Sequence, residues 1–188
     1  MNFFSRAASA LTGLSLLASL SAPAIAAPTT SQYNDHLVLA QAVKATGTRI
    51  YTNTPHCDKF GGHGLYSGMG PVIIVCQDNR TANTPYGEEV KWTANDYGTL
   101  RHEAHHLLQD CKDGKIDQNL DLMSDNIVEF ALNVIGPQTM DRIDAIYTVN
   151  GKGADVELEW EAFSVEALNV PLAQAKGIAK SCPIKGKG

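Results

Sequence analysis

The sequence contains no block of like charge, and charged residues make up only 19% of its 188 positions. Both features argue against a disordered chain or a coiled coil. Lys and Arg form no cluster and the formal net charge is −5, so the basic surface that nucleic-acid binding requires is missing. No run of 18 apolar residues occurs, and the sequence therefore predicts no stable membrane insertion. There is no internal repeat, and no CxxC spacing that would support a cysteine zinc site or a thioredoxin-like redox motif. What remains, with 44% hydrophobic residues, is a globular chain with length for one domain.

The first residues read differently from the rest. Arg6 precedes the apolar stretch Ala7–Leu20, and Ala24-Ile25-Ala26 fits the small-x-small rule of a cleaved secretory signal. Residues 1–26 are therefore expected to be a signal peptide and residues 27–188 one domain, secreted or periplasmic. Cys57, Cys76, Cys111 and Cys182 all fall in the second part. An even count in an oxidising compartment predicts two disulfides. Of the three pairings, Cys57–Cys76 and Cys111–Cys182 are favoured.

Helical spacing over Tyr33–Thr46 stops at Gly47. Thr48–Thr52 looks extended, Pro55–Gly70 reads as a loop with a short strand at Leu65–Ser67, and Val72–Cys76 is a β-branched strand. A long helix is expected from Thr93–Asn95 to Asp110. Ser124 would cap a helix through Ile135, Pro137 would open one reaching Val149, Asp155 would cap one through Asn169, and a short helix leads to Cys182. Strands first and helices afterwards predict an α+β fold with a small antiparallel sheet.

The long helix carries His102-Glu103-Ala104-His105-His106. Positions i and i+4 lie about 40° apart around a helix, so His102 and His106 can place both imidazoles on one ion. Glu103 beside them is a carboxylate placed to take a proton from a water on that ion. Leu100–Cys111, LRHEAHHLLQDC, resembles the active-site helix of the HExxH zinc metallopeptidases, the zincins. Gln109 and Lys112 occupy the positions where the metzincin branch has a Gly and a third His. The resemblance is therefore to the gluzincin-like arrangement, in which a Glu on a later helix completes the site.

That later segment is Val156–Glu166. On a wheel of about 100° per residue, Val156, Trp160, Phe163, Ser164, Ala167 and Leu168 share one side. Glu157 falls near its middle and Glu161 about 40° away, while Glu159 and Glu166 point to the opposite, solvent side. Two acids on an apolar face need a partner. The resemblance implies a ligand Glu followed four residues later by an acid or amide, which makes Glu157 the expected ligand and Glu161 its support, or the reverse. It further implies zinc as the cofactor, a peptide or protein substrate, Glu103 as general base, and Val72–Cys76 as an edge strand beside the cleft.

Other residues carry weaker signals. His105 lies close enough to flank the site. His56, His63, Tyr66, Tyr97 and Tyr147 are more simply read as ordinary structural residues than as groups that steady an oxyanion. Asp110, Asp113, Asp117 and Asp121 miss the EF-hand spacing and read as an acidic turn. The rival expectation is a secreted, disulfide-stapled binding protein whose metal is structural. Glu103 discriminates, because a structural site has no use for it.

Overall fold

In a computed structural model that describes residues 29–60 and 62–185, the β-branched run Val72–Val75 is the middle strand of a three-stranded sheet. The elements in chain order are α1 (Thr30–Ala45), β1 (Arg49–Thr52), α2 (His56–Phe60), β2 (Gly64–Ser67), β3 (Val72–Val75), α3 (Ala94–Asp110), α4 (Ile127–Val134), α5 (Gly136–Val149), a 3-10 turn (Gly153–Asp155), α6 (Val156–Leu168) and α7 (Pro171–Ser181). This is an α+β fold. The expected signal segment, residues 1–26, lies outside the described residues.

The sheet is mixed, not antiparallel as its short strands suggested. Its order is β1-β3-β2, with β1 parallel and β2 antiparallel to β3. The chain between β1 and β3 carries α2 and β2, and such a crossover brings the two strands together parallel. The position of β3 explains its unbroken apolar sequence. Ile73 and Val75 enter the main core with Leu39, Val43, Leu107 and Ile178, while Ile74 packs on the other face with Cys57 and Cys76. A strand covered on both faces has no need of polar alternation. The edge strands are therefore β1 and β2, with β2 the one beside α3, and not β3 as the family pattern implied.

α3 is the centre of the molecule. Thr93 opens it with a reciprocal cap, its Oγ accepting from the Asp96 amide while the Asp96 carboxylate accepts from the Thr93 amide. Every residue from Asp96 to Asp110 is buried, because α1, β2, β3, α6 and α7 all pack on this one helix. Leu107, fully buried, contributes about 1.5–3 kcal/mol by its burial. Burial on every side forces the polar residues of α3 to find partners inside the protein.

Both expected disulfides are present. Cys57–Cys76 ties α2, within the segment expected to be loop, to the end of β3, and Cys111–Cys182 joins the C-terminal ends of α3 and α7. α4 starts later than expected. Ser124 Oγ accepts from the Asn126 amide at 3.3 Å in the turn before the helix, its own amide donates to Glu161 at 2.6 Å, and the helix begins at Ile127. Gly136, at φ +74°, makes the sharp joint into α5, and Pro137 sits in its first turn.

Candidate metal centre

His102 and His106 stand one turn apart on α3 with their Nε2 atoms 3.2 Å from each other. α6 crosses alongside and brings in Glu159, whose Oε2 lies 3.2 Å from His102 Nε2 and whose Oε1 lies 3.4 Å from His106 Nε2. One donor atom from each of the three residues falls within 4.8 Å of the others, and all three side chains are buried. The group opens into a cleft of about 450 Å³, walled by β2 through Gly64, Leu65 and Tyr66, by Tyr147 of α5, and by Leu158.

Glu103 lines the same cleft. Burial pushes its carboxyl up, against the pull of His102 and His106. β2 lies so close that a Cβ on Gly64 would sit 2.6 Å from Glu103 Oε1 and 2.5 Å from Thr99 Cγ2. Only glycine lets the strand approach the helix at this point.

The charges of the cluster follow from its partners. Burial opposes a proton on His102, but the carboxylates of Glu159 and Glu166 outweigh it and push its pKa up to about 10. Burial also opposes charge on Glu159, and there the two imidazoles win, holding the carboxyl well below its usual range. His102 Nδ1 lies 3.2 Å from Glu166 Oε2, and its ring meets Phe163 edge-on at 4.4 Å. With Nδ1 directed at a carboxylate, Nε2 is the nitrogen left for the cluster. Two imidazole nitrogens and a carboxylate then converge in a buried space. Such a donor set is stable when a cation, a proton or a metal ion, lies among them.

The structure brings together His102, His106 and Glu103 as the sequence suggested, but with Glu159 in place of Glu157 or Glu161. Glu157 is exposed in the first turn of α6, away from the cluster. Glu161 is 1% exposed and faces a different way. Its oxygens accept from His105 Nε2 at 3.1 Å, Gln109 Nε2 at 2.9 Å, the Met123 amide at 3.0 Å and the Ser124 amide at 2.6 Å. Burial alone would raise its pKa, yet these donors hold it low. The wheel misplaced the acids because α6 has no single apolar face: α3, α4 and α5 pack around it. Glu159, Phe163 and Glu166 form the stripe toward His102. Their spacing of four and three residues matches the pitch of His102, His106 and Gln109, and the acids at the two ends of this stripe, Glu159 and Glu166, were the available signal.

The weaker candidates divide. His105 is buried behind the cluster against Glu161, and burial lowers its pKa. Tyr147 lies in the cleft hydrogen-bonded to Glu159, its pKa raised by burial and by that carboxylate. Tyr66 also lines the cleft but donates its hydroxyl to Asp110. Tyr97 lines a separate cavity with Arg101. His63 is exposed near Asp78, and His56 sits on α2. Asp110 is fully buried and accepts from the amides of Asp117 and Gln118, so it anchors the acidic turn that follows it. Comparison with protein-family models, curated proteins and solved structures finds no match.

Proposed function

We propose that this chain is an exported, zinc-dependent hydrolase of peptide bonds. The observation that carries the reading is the spacing of the donor atoms. A tetrahedral zinc ion with bonds of about 2.0–2.1 Å holds its ligand atoms roughly 3.3 Å apart. His102 Nε2 lies 3.2 Å from His106 Nε2 and 3.2 Å from Glu159 Oε2, while His106 Nε2 lies 3.4 Å from the other oxygen, Glu159 Oε1, and one carboxylate oxygen completes the set within 4.8 Å. Two imidazoles and one carboxylate are also the ligand set of catalytic zinc sites, which leave a fourth position open. His102, His106 and Glu159 would hold the ion. When bound, zinc supplies Lewis acidity, polarising the scissile carbonyl and acidifying a water.

The remaining steps belong to the chain. Glu103, beside the cluster and inside the cleft, takes the proton of the attacking water on its carboxylate and returns it to the leaving amide nitrogen. The close approach of β2 at Gly64 bounds one side of its carboxylate. The free edge of β2 supports an extended peptide as substrate, since backbone pairing along Gly64–Ser67 would lay the chain over the cluster. The two disulfides support an oxidising compartment, secreted or periplasmic. Among the described residues no helix is long and apolar enough to cross a membrane.

The Glu103→Gln variant tests the mechanism. It is expected to bind zinc like wild type and to lose hydrolysis of a peptide library by about 10²–10⁴-fold. Cleavage at a near wild-type rate would refute Glu103 as the base. Zinc binding without hydrolysis in the wild type would favour a structural metal in a binding protein.

A further inference from the structure

An imidazole can present a lone pair to a metal from only one nitrogen while the other carries the proton, so something must select the tautomer of His106. The candidate is Gln109, less than one turn further along α3 and fully buried. Its Nε2 lies 3.1 Å from the Leu158 carbonyl oxygen and 2.9 Å from Glu161 Oε2. The first partner has no proton to give. The second is a carboxylate that already accepts from His105 Nε2 and the Met123 amide on the same oxygen and from Ser124 on the other. An amide group has two N–H bonds, and these two acceptors use both. That fixes which way the Gln109 amide is turned. The atom at 2.8 Å from His106 Nδ1 is then Gln109 Oε1, which can only accept. His106 must donate from Nδ1, and its Nε2 lone pair faces Glu159.

We infer that Gln109, locked in orientation by Glu161, is a positioning residue that sets the His106 tautomer for metal binding. The inference rests on the metal-site reading proposed above. His105 completes the lock. It gives its Nε2 proton to Glu161, and its Nδ1, buried without a hydrogen-bond partner, is the nitrogen left with a lone pair. α6 thereby reaches both imidazoles, His102 directly through Glu166 and His106 indirectly through Glu161 and Gln109. Only an amide serves at position 109. A carboxylate would have no proton for Glu161, and an apolar side chain would leave His106 Nδ1 without an acceptor.

Two measurements test this. Long-range nitrogen NMR of the histidines is applied to wild-type protein, metal-free and zinc-loaded, and zinc affinity is measured by chelator competition for wild type and Gln109→Met. His106 is expected to carry its proton on Nδ1 in both wild-type states, and the folded variant to bind zinc 10–100-fold more weakly. A proton on Nε2 in metal-free wild type would overturn the inference. So would a folded Gln109→Met whose affinity stays within about threefold of wild type. If that variant does not fold, the wild-type tautomer decides alone. If wild type binds no zinc, the metal-site reading fails, while the tautomer of the metal-free protein still tests the lock.

Discussion

Gly64→Ala places a methyl group where β2 meets α3. The added carbon would lie 2.6 Å from Glu103 Oε1 and 2.5 Å from Thr99 Cγ2. Relaxed contacts of this kind need about 3.4 Å or more, so the strand or both side chains must move by roughly 0.8–0.9 Å. Thr99 is β-branched and stiff on a buried helix turn, so the Glu103 carboxylate, the far end of a flexible side chain on the cleft, is the group that gives way. Overpacking at such a contact costs about 1–3 kcal/mol, which in a chain of this size lowers Tm by several degrees. A displacement of this size at a general base lowers the rate of the proposed hydrolysis by up to about 10²-fold. Zinc affinity should change little, because the atoms nearest the added carbon belong to Thr99 and Glu103 and not to His102, His106 or Glu159. Thermal unfolding, zinc titration and peptide cleavage on the same preparation separate the three effects. An unchanged Tm together with unchanged cleavage would refute the claim that the approach of β2 positions Glu103.

Two further outcomes follow from the buried charges and the crosslinks. In the metal-free protein the folded pKa of His102 lies near 10, above its unfolded value of 6.5. The folded state therefore holds the extra proton, and this stabilisation is present below 6.5 and fades as pH rises toward 10. Glu159 is shifted downward from 4.5, so the same ion pair is lost again as pH falls below that value. Denaturant melts of metal-free protein should show stability declining from pH 6.5 to 10, and zinc uptake should release a proton across that range. Replacing Cys111 and Cys182 together by Ser opens a crosslink of sequence separation 71, against 19 for Cys57–Cys76. Chain entropy assigns these about 4 and 3 kcal/mol, so the first double variant should lower the urea midpoint more than the second.

Features encoded locally were legible in the sequence, and those made by distant packing were not. The spacing of His102 and His106 puts them on one helix face wherever that helix sits, and the β-branched run of β3 forms a strand in any sheet. The even cysteine count and the expected export predicted two disulfides, and the pairing was favoured because Cys57–Cys76 closes a short loop and Cys111–Cys182 ties the C-terminus to the centre. The direction of β1 against β3 depends on a crossover, which no single segment encodes. Ser124 carries a capping side chain, yet its oxygen closes a turn on the Asn126 amide while Glu161, 37 residues away, holds its own amide and so the position of that turn. The third member of the cluster was missed for the same reason. A helical wheel assumes one buried face, and α6 is packed by α3, α4 and α5. Glu159 is therefore buried on a side that looks polar in sequence, and Glu157 is exposed on a side that looks apolar.

The central claim, that His102, His106 and Glu159 form one zinc site, is tested most directly by native mass spectrometry. Wild type, Glu159→Ala and Glu157→Ala would be compared, each folded, oxidised and offered one equivalent of zinc. Wild type and Glu157→Ala should each carry one zinc that a chelator removes, and Glu159→Ala should carry none under the same conditions. Zinc retained by Glu159→Ala as in wild type, or no zinc on wild type, would contradict the account.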